Sequence, residues 1–277
     1  MRKLYYLSLL LLSCNSFADT REIAITIDDL PLVASQMNSP GNIQRSTERF
    51  MRLIQILADN KVPATGFVIA GAIERGQWNF LEKFRSAGFM LGNHTYSHYN
   101  LNSISADKYI ADLERADNIL APILTEPKYF RYPYLAEGNS QSKPKVLEYL
   151  TAHNYIVAPV TVDSKDYKFN ERLYKIPYRM RTMYLNKLKG DYLAFIWKQT
   201  LLAEKHAGGQ TVKQILLIHA NVLNSYVLDD IIKMYKDKGY RFITLTEALQ
   251  NPAPVLSLPV AEKTESALLP ITAMSPK

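Results

Sequence analysis

The sequence holds a single cysteine, Cys14, so no disulfide can form within the chain and stability must come from a packed core. Apolar residues make up 47% of the 277 residues, which is ample for the core of one barrel-sized domain. After the first apolar stretch near the N-terminus, no run approaches the ~20 residues that a transmembrane helix needs, so we expect no transmembrane segment. Because no nucleic-acid-binding motif is present, nucleic acid is not an expected partner.

The N-terminus has the order of a secretory signal peptide. Its parts are a positive start at Arg2 and Lys3, an apolar run at Leu4–Leu12 and a small-x-small cleavage site at Ser16-Phe17-Ala18. We therefore expect residues 1–18 to be a signal peptide and the mature protein to be exported, either periplasmic or secreted. The segment ending in Cys14 also resembles a lipoprotein cleavage box, which would leave the protein anchored through Cys14. We favour cleavage after Ala18.

Positive charge is distributed unevenly. The formal net charge is +7, and removal of Arg2 and Lys3 with the signal peptide would leave +5. Between Lys168 and Lys213, ten Lys and Arg residues stand against three acids, a local excess of +7. Two interpretations remain open: the solvated face of a helix, or a surface that attracts an anionic polymer such as peptidoglycan.

Short apolar runs alternate with longer amphipathic segments, which is typical of parallel strands joined by crossover helices. The candidate strands are Ile23–Ile27, Ala64–Ile69, Phe89–Leu91, Tyr129–Arg131, Ile156–Val160, Ile215–Ile218 and Phe242–Thr244. The candidate helices are Ile43–Asn60, Ser105–Leu120 and Val227–Lys238. The chain is therefore predicted to be an α/β protein, a single distorted (β/α) barrel of about seven parallel strands. An open doubly wound sheet is the alternative.

Two segments depart from this alternation. Residues 168–211 form a basic, Tyr-rich insertion within the predicted domain 19–250, and we expect it to be helical around Asp191–Lys205. Its tyrosines are Tyr174, Tyr178, Tyr184 and Tyr192; with Trp197 they are candidates for sugar contacts or, as we favour, for the core. Residues 251–277 carry five of the 14 prolines and no amphipathic period, so we expect a Pro-rich flexible tail.

Two pairs of side chains are candidates for a metal site. Asp28 and Asp29 directly follow an apolar strand, and the carboxyl ends of barrel strands are where active sites are built. His94 and His98, four residues apart on a helix face or in a tight loop, can grip one metal ion. This pair lacks the glutamate of the zinc-protease H-E-x-x-H motif, so a general base must come from elsewhere, and the Asp pair is the evident source.

Three further polar motifs follow later candidate strands. They are Arg131-Tyr132-Pro133-Tyr134, Asp163-Ser164-Lys165-Asp166-Tyr167 and Leu217-Ile218-His219. Each alone is compatible with a surface arginine, a turn or a histidine at the edge of the core. Their common placement after strands favours a shared site.

With these motifs, the chain resembles the polysaccharide deacetylase family, the carbohydrate esterases that share the nodulation-type chitooligosaccharide deacetylase domain. The motifs occur in the family's order and cover roughly residues 22–250. The resemblance implies that Asp29, His94 and His98 hold one divalent metal, with zinc as the first choice and cobalt or nickel as alternatives. It also implies that Asp28 is the general base and that Arg131 orients it.

The resemblance further implies that His219 is the general acid and that Asp166 holds its ring. Tyr134, through its backbone N–H, Tyr167 and Leu217 are the expected oxyanion and substrate contacts. The family commonly has tryptophan where this chain has Tyr167, so the sugar contacts at that position are expected to differ.

The activity implied is metal-dependent removal of N-acetyl groups from N-acetylglucosamine-type residues of an envelope polysaccharide, with peptidoglycan or a chitooligosaccharide as substrate. An O-acetyl polysaccharide esterase and a noncatalytic glycan-binding protein are the alternatives. The expected partner is the polysaccharide; no protein partner is predicted.

Overall fold

The computed structural model describes residues 21–33, 37–208, 212–250 and 252. The predicted signal peptide, Cys14 and the predicted tail, apart from Pro252, lie outside the described residues. None of the described helices is long and apolar enough to cross a membrane.

Strands and helices alternate through the described residues. The strands are β1 (Arg21–Leu30), β2 (Ala64–Val68), β3 (Met90–Asn93), β4 (Lys128–Phe130), β5 (Tyr155–Val157), β6 (Val162–Asp163), β7 (Lys213–His219) and β8 (Tyr240–Phe242). The helices are α1 (Pro40–Asp59), α2 (Trp78–Ser86), α3 (Ala106–Leu120), α4 (Ser142–Ala152), α5 (Asp166–Lys175), α6 (Arg181–His206), α7 (Val222–Asp237) and α8 (Leu245–Ala248). Short 3₁₀ turns lie at Ala70–Ala72, Pro133–Leu135 and Tyr178–Met180.

Seven strands form one parallel sheet in the order β5-β4-β3-β2-β1-β7-β6, and β8 pairs with the first residues of β1. The central strand β1 lies between β2 and β7. The prediction of about seven parallel strands is confirmed. Among the described residues no pairing joins the edge strands β5 and β6, so the sheet is a curled, incompletely closed barrel.

Contacts across the sheet show its curl. In a flat sheet, Tyr129 of β4 and Ile215 of β7 would lie about 19 Å apart, because strands are spaced by about 4.8 Å. Instead both belong to one buried inner cluster, together with Phe67 of β2. A larger cluster between the outer face of the sheet and the surrounding helices forms the main core.

Alternation along β1 separates these two layers. Ile23, Ile25 and Ile27 point outward into the main core, whereas Ala24 belongs to the inner cluster. Side chains two residues apart on a strand share a face, so Asp28 follows Ala24 toward the barrel interior. The apolar run therefore anchors β1 and delivers a carboxylate to its carboxyl end.

Helix α1 begins earlier than the predicted Ile43. Ser39 caps it by accepting a hydrogen bond from the Asn42 amide, and Pro40 occupies the first turn, where its missing N–H costs nothing. The predicted apolar face is confirmed, since Phe50, Leu53, Ile54 and Leu57 are all buried.

The largest differences from the sequence prediction lie between residues 156 and 206. The predicted strand Ile156–Val160 is wrong at its end: β5 stops at Val157, because Pro159 has no N–H for the ladder, and a separate β6 follows. In the insertion, α6 begins ten residues before Asp191, and α5 precedes it. The predicted helix around Asp191–Lys205 lies within α6, whereas the first ten residues of α6 and the whole of α5 were not predicted.

Replacing Phe50 by alanine is expected to lower the free energy of unfolding by about 3–5 kcal/mol, because it removes a buried ring and leaves a cavity. The ring is 1% exposed and stacks on Phe80 with 5.1 Å between centroids. Ile43→Ala, on the same helix but 41% exposed, is the control and should change stability by at most about 0.5 kcal/mol. Denaturant unfolding measures both, and equal losses would contradict this packing.

Candidate active site

The predicted site residues converge at the carboxyl ends of the strands. Asp28 and Asp29 lie near the end of β1, His94 directly follows β3, Arg131 directly follows β4, and His219 ends β7. Asp28 and His219 are register partners across β1 and β7. Residues 191 positions apart are thus neighbours on adjacent strands.

Asp29, His94 and His98 form a cluster whose ligand atoms all lie within 4.8 Å of one another. Asp29 Oδ1 lies 3.5 Å from His94 Nε2 and 3.3 Å from His98 Nε2. That oxygen is buried and accepts no hydrogen bond from the described residues. Two imidazole nitrogens and an otherwise unpartnered carboxylate oxygen fit a divalent metal, with positions left for water and substrate.

The two histidines lie in a tight loop, which settles the choice that the spacing left open. Thr95 and His98 adopt left-handed backbone conformations, with φ of 66° and 54°. Asp112 of α3 accepts hydrogen bonds from the Tyr96 and Ser97 amides, at 3.1 and 2.9 Å. The helix therefore holds the loop in a conformation that its residues rarely adopt alone.

Hydrogen bonding and burial prepare the histidines to bind a cation. His94 Nδ1 lies 2.8 Å from the Arg131 carbonyl, so its N–H points there and Nε2 presents a lone pair to the cluster. Burial lowers the pKa of His98 to about 4, against the opposing attraction of Asp29, so its ring is neutral at neutral pH. Burial alone would raise the pKa of Asp29, but the surrounding histidines outweigh it and hold that pKa well below its usual value.

Asp28 is 3% exposed and pairs with the buried Arg131. Arg131 Nη1 lies 3.5 and 3.4 Å from the two oxygens of Asp28. Nη2 donates to Thr26 Oγ1 at 3.2 Å and to the Pro159 carbonyl at 3.4 Å, and the guanidinium lies 4.6 Å from the centre of the Phe67 ring. The arginine has little freedom, so it fixes the orientation of the carboxylate.

His219 is held by Asp166, which is fully buried at the start of α5. Nδ1 of His219 lies 2.6 Å from Asp166 Oδ1, and the His219 backbone N–H donates to Oδ2 at 2.6 Å. Burial would lower the pKa of His219, but Asp166 outweighs it and raises the pKa to about 10. The ring therefore carries a proton at neutral pH, and Nε2 faces Asp29 Oδ2 at 3.9 Å.

The three expected substrate contacts occupy different depths. Tyr134 is 47% exposed, and its ring lies 4.5 Å from that of His98. Tyr167 is 48% exposed at the start of α5. Leu217 is only 4% exposed, two residues before His219 on the same face of β7, so it forms the floor beneath the histidine.

Sequence reasoning missed the polar residues that support these side chains. Asp112 shares the buried face of α3 with Tyr109, Leu113 and Ala116, and a carboxylate among apolar residues was the available signal. Asn221 and Asn224, at the start of α7, donate to Asp166 Oδ2 at 2.9 and 2.5 Å. An Asn before an apolar helical segment signals an N-cap, which Asn221 is, but nothing in the sequence links it to Asp166.

The insertion contributes both core and surface. Tyr192 is fully buried, as favoured above, whereas Tyr174 and Tyr184 are 45% and 43% exposed. The remaining histidines lie at helix ends: His153 Nδ1 is 2.8 Å from the Tyr149 carbonyl, and His206 Nδ1 is 2.7 Å from the Leu202 carbonyl. They need no role in the site.

Known proteins share this architecture and sequence pattern. A family model described as polysaccharide deacetylase matches residues 17–156. A peptidoglycan-N-acetylglucosamine deacetylase of Bacillus cereus is 26% identical over 231 residues, which are 83% of this chain and 69% of that protein. A chitin deacetylase of Arthroderma benhamiae is 29% identical over 206 residues, 72% of this chain but 48% of that protein, so the chain spans about half of its length.

The fold is also similar to that of a solved structure. A CE4-family pseudoenzyme from Bacillus anthracis superimposes with a TM-score of 0.59 at 19% identity, covering 83% of this chain and 66% of that chain. At this identity the likeness concerns the fold alone.

His94→Ala and His98→Ala are each expected to abolish stoichiometric zinc binding, because each removes one of three ligands. Zinc retained after dialysis is measured by elemental analysis, and affinity by competition with a chromophoric chelator. His153→Ala removes a histidine outside the cluster and should bind zinc like the wild type. Stoichiometric binding retained in either ligand variant would contradict the assigned site.

Proposed function

The chain belongs to the polysaccharide deacetylase family, and we propose that it is an exported hydrolase that removes N-acetyl groups from N-acetylglucosamine-type residues of an envelope polysaccharide. One observation carries the proposal. A metal-type cluster, a buried carboxylate fixed by Arg131 and a protonated His219 open onto one barrel mouth. A metal-assisted hydrolysis of an amide combines a Lewis acid, a general base and a general acid, and these groups could supply all three.

Asp29, His94 and His98 would hold the metal, and zinc suits two imidazoles and a carboxylate, with cobalt or nickel as alternatives. When bound, a divalent metal supplies Lewis-acid polarisation of the acetyl carbonyl and lowers the pKa of water. We assign the proton transfers to this chain's own side chains.

Asp28 is the proposed general base. Arg131 occupies one side of its carboxylate, and Asp28 Oδ2 lies 3.8 Å from His94 Nε2, next to the metal-type cluster. A water between the substrate and this cluster would therefore lie within reach of Asp28, which would accept its proton as the water attacks.

His219 is the proposed general acid. An amine is a poor leaving group unless it is protonated, so the acid must reach the scissile nitrogen. His219 Nε2 and Asp28 approach the cluster from adjacent strands, so base and acid can act at different atoms of one tetrahedral intermediate. Asp166 keeps Nδ1 occupied, which leaves Nε2 to donate the proton.

The surroundings favour a sugar polymer. Tyr134 and Tyr167 present half-exposed rings, and aromatic faces stack on sugars. The Tyr134 backbone N–H is the proposed additional oxyanion donor. The relatives are named for N-acetylglucosamine units in peptidoglycan and for chitin, and these substrates share the N-acetyl group. We propose peptidoglycan or a chitooligosaccharide as substrate.

Acetate release is expected from peptidoglycan or N-acetylglucosamine oligomers, with loss of activity in chelator and recovery with zinc. Purified protein without residues 1–18 is assayed on these glycans and on acetylated xylan in parallel. Acetate from xylan alone would instead establish an O-acetyl esterase. Binding to glycan without any acetate release, with zinc bound, would favour the noncatalytic glycan-binding protein.

Asp28→Asn is expected to lower kcat by roughly 100- to 10,000-fold, because the amide cannot accept the proton from water. Zinc binding should persist, since Asp28 lies outside the ligand cluster. The matched control is Asp59→Asn at the exposed end of α1, which should keep full activity. A zinc-loaded Asp28→Asn protein with wild-type kcat would exclude Asp28 as the base.

A further inference from the structure

The carboxylate of Asp166 is fully buried, yet four donors surround it. Among the described residues, Oδ1 accepts a hydrogen bond from His219 Nδ1 alone, whereas Oδ2 accepts from the His219 backbone N–H and from the side-chain amides of Asn221 and Asn224. A buried carboxylate bound on both oxygens has a fixed orientation. The orientation of His219 is therefore set by the residues that fix Asp166.

Asn224 uses its whole side-chain amide in this arrangement. Nδ2 donates to Asp166 Oδ2 at 2.5 Å and to the His219 carbonyl at 2.9 Å, while Oδ1 accepts from the Tyr192 hydroxyl at 3.1 Å. A flipped amide would set Oδ1 against two acceptors. These two acceptors therefore fix the orientation of the amide, and the Tyr192 hydroxyl donates to the oxygen on its other side, which holds Asn224 in place against Asp166 and His219.

Tyr192 belongs to α6, in the basic insertion, and is fully buried. Its ring lies 5.0 Å from that of Phe169 on α5, the helix that begins with Asp166. Tyr192 therefore contacts two residues next to the acid pair, Asp166 and His219: its hydroxyl binds Asn224, and its ring packs on Phe169, three residues after Asp166.

We propose that Tyr192 and Asn224 are positioning residues for the general acid, so that the insertion helix α6 takes part in the active site. This inference rests on the proposed function, in which His219 protonates the leaving nitrogen. The chain Tyr192–Asn224–Asp166–His219 holds Nε2 where that proton is delivered. The first three residues are fully buried, so they act through His219.

The test compares two buried tyrosines that join α6 and α7. Tyr192→Phe removes the hydroxyl bound to Asn224. The control Tyr235→Phe removes a hydroxyl that lies 2.8 Å from Thr200 Oγ1 and that, in the described part of the chain, forms no hydrogen bond with Asp166, His219 or Asn224. Both are isosteric changes in a fully buried ring, so both test the same structural cost. Asn224→Ala serves as the stronger variant.

Each protein is assayed for kcat and KM on an N-acetylglucosamine oligomer and on 4-nitrophenyl acetate, whose leaving group needs no proton. Tyr192→Phe is expected to lower kcat on the amide by roughly tenfold, with KM and the ester rate unchanged. Tyr235→Phe should keep both rates. Equal loss of amide and ester activity in Tyr192→Phe, or wild-type amide kcat, would overturn the proposal.

A second readout needs no turnover. The His219 Nδ1–H proton, bound to Asp166 at 2.6 Å between heavy atoms, should resonate far downfield in the NMR spectrum. Tyr192→Phe and Asn224→Ala are expected to shift it, and Tyr235→Phe is not. An unchanged resonance in both variants would overturn the inference. A wild-type protein that releases no acetate would instead refute the proposed function, and the resonance would still decide the role of Tyr192.

Discussion

The buried guanidinium of Arg131 is the group on which the rest of the site depends. It pairs with Asp28, donates to Thr26 and to the carbonyl of Pro159, and lies over Phe67, while its own carbonyl orients His94. These contacts join β1, β2, the loop after β3 and the segment between β5 and β6. Removing one partner of a buried ion pair typically costs about 3–5 kcal/mol, because the other charge is left uncompensated. The guanidinium of Arg131 therefore has two effects: it neutralises the charge of Asp28, and it links strands that the curl of the sheet brings together.

Three carboxylates share the barrel mouth, and each has different partners. Asp28 faces an arginine, Asp29 faces imidazoles, and Asp166 is enclosed by the His219 ring and two asparagine amides. Because the partners differ, so do the roles that we propose: a fixed base, a metal ligand and a support for the acid. Left-handed backbone conformations concentrate on the same loops, at Asp29, Thr95, His98, Tyr134 and Lys165. Such conformations persist only where surrounding contacts enforce them, as Asp112 does for the histidine loop.

The sequence predicted most of the strands and helices that it named, but not all of their boundaries. It predicted which residues lie at the site, but not the polar residues that hold them in place. The apolar face of α1 and the cap at Ser105 follow from local chemistry, and the structure has both. The break at Pro159 and the early start of α6 depend on which strand edges and helix faces pack against other parts of the fold, and no local pattern encodes that.

Asp112, Asn221 and Asn224 were missed for a related reason. An Asp on an apolar helix face or an Asn at a helix start looks like a local feature until the fold sets another polar group against it.

What the sequence determined by itself was the set of reactive groups and the strand ends that carry them: the Asp pair near the end of β1, the histidines after β3, and Arg131 and His219 at later strand ends. Motif chemistry and alternating apolar runs suffice for that, because both are properties of short segments. Tertiary structure alone decided that Asp28 and His219 are register partners, that Arg131 reaches β1 from β4, and that a tyrosine of the insertion binds Asn224 beside the acid pair. Those relations join residues far apart in the chain, and they exist only once the parallel sheet has curled and brought its strand ends together.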